Sequence, residues 1–88
     1  GISSMKLLGN VMELLLRKNA FVQNVSVAIV CEAPKLAPYI EQMKETLADA
    51  MFVSPLAINI SATTAEGIGE IGRGKAIAAR AAAIVLFE

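Results

Sequence analysis

Histidine is absent from this 88-residue chain, and with it go the usual general base and the commonest transition-metal ligand. Cysteine occurs once, at Cys31. A single thiol excludes an intrachain disulfide and suits a reducing compartment. Its place in an apolar stretch, with no histidine to activate it, predicts a buried and inert side chain. Blocks of like charge are missing too. Eight Lys and Arg balance eight Asp and Glu without a run of either, so nothing recommends a nucleic-acid or membrane-surface partner. Apolar stretches are broken by Lys, Asp, Pro or Gly well short of the roughly 20 residues that span a bilayer. No transmembrane segment is expected, and no signal peptide is visible, although a chain opening with Gly1 carries no guarantee of its original N-terminus.

Apolar residues dominate what remains, at 56% of the chain. A single domain this small has too little interior to bury them, which predicts a homo-oligomer. Ser3 or Ser4 is a suitable N-cap, and Met5, Leu8, Val11, Met12 and Leu15 recur at helical spacing, so residues 4–18 read as an amphipathic helix that stops at Asn19. Val25, Val27, Ile29 and Cys31 alternate with smaller residues as a strand does, and Pro34 closes it. Leu36, Ile40, Met43, Leu47 and Met51 mark a second helix from about Pro38 to Ala50. Ser54 and Pro55 break it, and Leu56, Ile58 and Ile60 alternate as a second strand that runs straight into a glycine-rich loop.

The tail is ambiguous, because its alanines favour helix and residues 84–87 favour strand. A two-stranded sheet is too small for so apolar a chain. A strand over residues 76–86, joined to its predecessor as a hairpin through the glycine loop, gives three strands covered by two helices. The expected fold is α+β in the order α-β-α-β-β, a mixed sheet with helices on one face.

Chemistry-bearing residues concentrate in residues 61–75. Thr63 and Thr64 are adjacent, Glu66 follows, and Gly67, Gly69, Gly72 and Gly74 surround Arg73. Hydroxyls, free amides and a guanidinium suit phosphate, and Glu66 is placed to hold a divalent cation against it. A plain turn with a solvated arginine is the competing reading. Residues 67–72 also spell G-x-G-x-x-G, but a polar segment separates them from the strand and no acid-bearing strand follows, which argues against a dinucleotide fold. Upstream, the turn A-P-K-L-A-P either presents backbone groups to a flat heterocycle, with Lys35 reaching a phosphate, or is an ordinary strand-to-helix joint.

Together these motifs resemble the C-terminal half of the 2-C-methyl-D-erythritol 2,4-cyclodiphosphate synthases. The resemblance rests on G-I-S-S-M-K-L-L, N-V-S-V-A-I-V-C-E-A-P-K-L-A-P, V-S-P-L-A-I-N-I-S-A-T-T-A-E and G-R-G-K-A-I-A, in the family's order and spacing. It implies a homotrimer with active sites between subunits, and a β-α-β-α-β-β domain of which residues 1–88 are a part lacking the first strand. It also implies a lyase of the non-mevalonate isoprenoid pathway that releases CMP, working in a bacterial cytoplasm or a plastid. The cytidine nucleotide would lie on Cys31, Glu32, Ala33, Pro34, Lys35, Leu36 and Ala37. Its phosphates would meet Thr63, Thr64, Ala65, Glu66 and Arg73, with Thr64 stabilising the transition state and Glu66 holding magnesium or manganese. Zinc ligands, which the family draws from histidines and an aspartate, have no counterpart here. Ser61, Ala65, Glu70 and Lys75 depart from the family pattern, and Glu70 and Lys75 are candidates for a compensating pair. The alternative function is a non-catalytic module that binds a cytidine nucleotide or serves only as a structural trimer.

Overall fold

The computed structural model describes residues 3–88, and its first element begins where a capping serine places it. Ser3 Oγ accepts from the Lys6 N–H at 3.2 Å, and helix α1 runs Ser4–Arg17 with Arg17 in its last turn. Asn19 then adopts a φ of 55°, a left-handed conformation that asparagine tolerates better than most residues. Met12 is buried, with Leu8 and Leu15 packed around it. Met5 and Val11 stay exposed, so the covered stripe is narrower than the apolar spacing suggests.

Strand β1 spans Ala20–Cys31 and starts earlier than the alternation from Val25 indicates. A bulge hides its beginning. Pairing with the last strand steps from Val22↔Val85 to Asn24↔Ile84, leaving Gln23 without an opposite residue. One extra residue inverts the alternation. The buried positions are therefore Ala20 and Val22 before the bulge, then Val25, Ile29 and Cys31 after it.

The predicted start of the second helix at Pro38 is instead a 3₁₀ turn, Ala37–Tyr39, of the kind that often leads into an α-helix. Helix α2 itself is Ile40–Met51. It ends where Phe52 takes a φ of 60° and the Val53 N–H returns to the Ala48 carbonyl at 3.0 Å. Leu56 is not part of the next strand. Ser54 Oγ accepts from its N–H at 3.2 Å, which holds Pro55–Ala57 in a second 3₁₀ turn and leaves Leu56 93% exposed. Strand β2 is Ile58–Thr63. A short helix α3, Gly69–Gly72, sits inside the glycine-rich stretch.

The tail is strand β3, Ile77–Phe87, but the expected hairpin with β2 is not formed. Sheet order is β2-β1-β3, with β1 parallel to β2 and antiparallel to β3. The crossover through α2 returns β2 alongside β1, as parallel pairing requires. The glycine loop then carries the chain to the other edge of β1. Met12, Val25, Ile29, Ala48, Ile58 and Ile60 form the core between the helices and one face of the sheet. Ile58 is 2% exposed, which makes its side chain worth about 2–3 kcal/mol of burial. Along β3 only Val85 is even partly covered, and Phe21, Ile84 and Leu86 are exposed.

Candidate functional site

Parallel pairing places the loops that leave β1 and β2 side by side. The register runs to Val30↔Thr63, so residues 31–37 begin where residues 63–66 do, at the carboxyl ends of the strands. Ligands of open α/β sheets commonly bind at that end. A cleft of about 270 Å³ opens there, lined by Cys31, Glu32, Lys35, Leu36 and Ala37 from one loop and Thr63 and Thr64 from the other. Ile40 and Ala62 complete it. Neither was marked as a site residue in the sequence, where Ile40 was read only as part of the apolar face of the second helix and Ala62 carried no signal beyond preceding the threonines. Larger hollows of about 570 and 410 Å³ lie along α2 and touch neither loop, and one of about 500 Å³ between β1 and β3 is touched by Thr63 but by no other residue of the two loops.

Within the first loop Cys31 is buried, as its apolar setting predicts. Its Sγ donates toward the Ala33 carbonyl at 3.3 Å and lies 3.6 Å from the Pro34 carbonyl. Ala33 and Pro34, joined by a cis peptide bond, meet the Cys31 thiol through their carbonyls and do not line the cleft. The thiol is engaged in holding the turn.

In the second loop each hydroxyl has a distinct task. Thr63 Oγ1 donates to the Thr64 carbonyl at 3.0 Å. Thr64 Oγ1 accepts from the Glu66 N–H at 3.2 Å, which occupies a lone pair and leaves its proton free for another acceptor. Ala65 and Glu66 stand beyond the cleft lining, with Glu66 exposed at a φ of 53°. The Ile68 N–H closes a turn on the Ala65 carbonyl at 3.0 Å. Glu32 Oε1 accepts from the Gly67 N–H at 3.0 Å, tying the two loops together across the cleft. That bond, too, carried no sequence signal, since it joins a side chain to a backbone amide.

Arg73 is not free. It pairs with Glu70 one turn away on α3, with both side chains more than half exposed. The anticipated Glu70–Lys75 pair does not form, because the three-residue spacing inside a helix brings Arg73 to Glu70. Lys75 reaches Glu70 only by its backbone N–H, at 2.9 Å from the carbonyl. An exposed pair of this kind contributes less than about 1 kcal/mol, so a phosphate can compete for the guanidinium. Among the described residues no three His, Cys, Asp or Glu come together as a metal-holding group.

The model of the YgbB family matches residues 1–86. The 2-C-methyl-D-erythritol 2,4-cyclodiphosphate synthase of Pelotomaculum thermopropionicum is 45% identical over 85 residues, which cover 97% of this chain and 52% of that protein. The synthase of the same name from Synechocystis is 42% identical over 88 residues, covering 100% of this chain and 55% of that one. Among solved structures, the synthase of Plasmodium vivax superposes with a TM-score of 0.93 at 27% identity, over 98% of this chain and 57% of that one. The CDP complex of Plasmodium falciparum IspF does so at 0.88 and 25% identity, over 97% and 54%. The chain spans about half the length of the curated relatives it matches.

Proposed function

We propose that this chain, which belongs to the YgbB family, is the nucleotide- and diphosphate-binding part of an enzyme of non-mevalonate isoprenoid biosynthesis. That enzyme converts 4-diphosphocytidyl-2-C-methyl-D-erythritol 2-phosphate to 2-C-methyl-D-erythritol 2,4-cyclodiphosphate and CMP. The observation that carries the reading is the single cleft in which Cys31, Glu32, Lys35, Leu36 and Ala37 meet Thr63 and Thr64. One wall suits a nucleoside and the other suits its phosphates.

An oxygen of the 2-phosphate attacks the β-phosphorus, and the bond from that phosphorus to the bridging oxygen breaks, leaving with CMP. The chemistry needs alignment and charge neutralisation more than proton transfer. Backbone groups of residues 31–37 hold the base, and Lys35 lies in the same cleft for a phosphate. Thr64 donates its free hydroxyl proton to a β-phosphate oxygen as charge accumulates there. Arg73 turns from Glu70 to the diphosphate. Glu66, exposed and without an ion-pair partner among the described residues, fits magnesium or manganese, which takes one or two carboxylates together with substrate phosphates. When bound, that ion neutralises charge on the diphosphate. This chain has no histidine, so zinc is assigned to the part of the enzyme outside it.

The enzyme is proposed to be a homotrimer in a bacterial cytoplasm or a plastid, with sites completed by neighbouring subunits. The bare face carrying Phe21, Ile84 and Leu86 supports self-association. Among the described residues no helix is long and apolar enough to cross a membrane.

The test is CMP release from the substrate, followed by phosphorus NMR, with CMP binding mapped on the protein in parallel. Thr64→Ala should lower kcat by roughly 10²–10³, the usual loss for one oxyanion donor. CMP should shift the resonances of Cys31, Lys35 and Thr63. A wild-type rate in the variant, or no response at those residues, would defeat the reading.

A further inference from the structure

Glu32 is an odd neighbour for a diphosphate, because a carboxylate repels phosphate oxygens. Its recorded bond goes elsewhere, across a separation of 35 positions to the Gly67 N–H at 3.0 Å. That amide belongs to the turn Ala65–Ile68, whose two central residues, Glu66 and Gly67, have φ of 53° and 78°. Positive φ at both central positions is the type I′ pattern. Glycine adopts it freely, whereas a side-chain-bearing residue such as Glu66 does so at a cost. The closing bond from Ile68 to Ala65 leaves the Gly67 amide unused by the turn itself. Glu32 takes that amide, and Thr64 Oγ1 takes the neighbouring Glu66 N–H. The strained turn is therefore held from both sides, with one support anchored at the end of β1 in the nucleotide wall.

We propose that Glu32 is a positioning residue for phosphoryl transfer, acting through the Gly67 amide to hold Thr64 and Glu66 against the substrate's β-phosphate. This rests on the function proposed above. Because one side chain lines the nucleotide wall and grips the phosphate loop, it sets the spacing between the two halves of a nucleoside diphosphate. A role through Gly67 requires only an oxygen acceptor, so an amide serves where a methyl does not.

The experiment compares wild type, Glu32→Ala and Glu32→Gln in steady-state CMP release, CMP binding and amide hydrogen exchange at Gly67. Glu32→Ala should lower kcat on the order of tenfold to a hundredfold, as a small misplacement of reacting groups does. Its CMP affinity should stay within about twofold of wild type, which separates lost alignment from lost binding. Glu32→Gln should recover most of that rate. Gly67 should be protected from exchange in wild type and Glu32→Gln, and unprotected in Glu32→Ala. Equal defects in the two variants would overturn the proposal in favour of a role for the carboxylate's charge. So would an undiminished kcat in Glu32→Ala, a parallel fall in CMP affinity, or an unprotected Gly67 in wild type. Should wild type release no CMP at all, the assigned reaction falls by itself, and exchange at Gly67 still decides whether the tether exists.

Discussion

Gly72→Ala puts a methyl group where backbone already stands. A Cβ at that position would lie 2.2 Å from the Gly67 carbonyl carbon, 2.7 Å from its Cα and 2.9 Å from its oxygen. None of these atoms can rotate aside. Ordinary contact starts at 3.4 Å, so the two segments must part by roughly 1 Å before the dispersion well is regained. Gly67 is also the residue that Glu32 holds at 3.0 Å, and a displacement of that size carries the bond beyond hydrogen-bonding range. Overpacking of this sort costs about 1–3 kcal/mol. In a domain of this size each kcal/mol lowers the melting temperature by about 4–8 °C. The expected outcome is a clear fall in the melting temperature together with lost exchange protection at Gly67. Gly74→Ala is the control. Its φ of 74° strains a side chain, but nothing lies within 4 Å of the added atom, so it should destabilise by about 1 kcal/mol and leave Gly67 protected. A Gly72→Ala protein that melts with wild type and keeps Gly67 protected would refute the argument.

Ile58→Ala should cost about 2–5 kcal/mol in chemical denaturation, as deletions at fully buried positions do, while Leu56→Ala, at 93% exposure, should stay within about 0.5 kcal/mol. Gly9→Ala in α1, where nothing lies within 4 Å, should stabilise by about 0.5–1 kcal/mol through the higher helix propensity of alanine, and a lower melting temperature would contradict it. Glu70→Gln should change stability by less than about 1 kcal/mol, because the pair is exposed, and should tighten CDP binding by about threefold as Arg73 loses a competing anion. Calorimetry showing weaker binding would mean that Glu70 orients Arg73 rather than competing for it.

Elements governed by their own periodicity were legible from the residues alone. The serine pair Ser3 and Ser4 marked the start of α1, with Ser3 the one that caps it, and Asn19 marked its end, because capping is decided within one turn. The second half of β1 was visible as alternation and its first half was not, since the Gln23 bulge inverts the parity that alternation depends on. Leu56 misled because apolar spacing continued through it while Ser54 and Pro55 had already set a turn. The candidate site residues stood out as two clusters, but their hydrogen-bond and ion-pair partners did not. Arg73 found Glu70 by helical proximity where Lys75 had been expected.

The sequence by itself determined the two long helices, the alternating cores of β1 and β2 and the two motif-bearing loops, because propensity, capping and turn chemistry act over a few neighbouring residues, while the strand character of the tail followed only from the size of sheet it completes. Only the tertiary structure decided that β1 lies between β2 and β3. Strand order depends on which edge the crossover and the glycine loop can reach, and no local pattern records that. The same long-range closure set residues 31–37 beside the threonines and brought Glu32 to Gly67, which turned two separate motifs into one cleft.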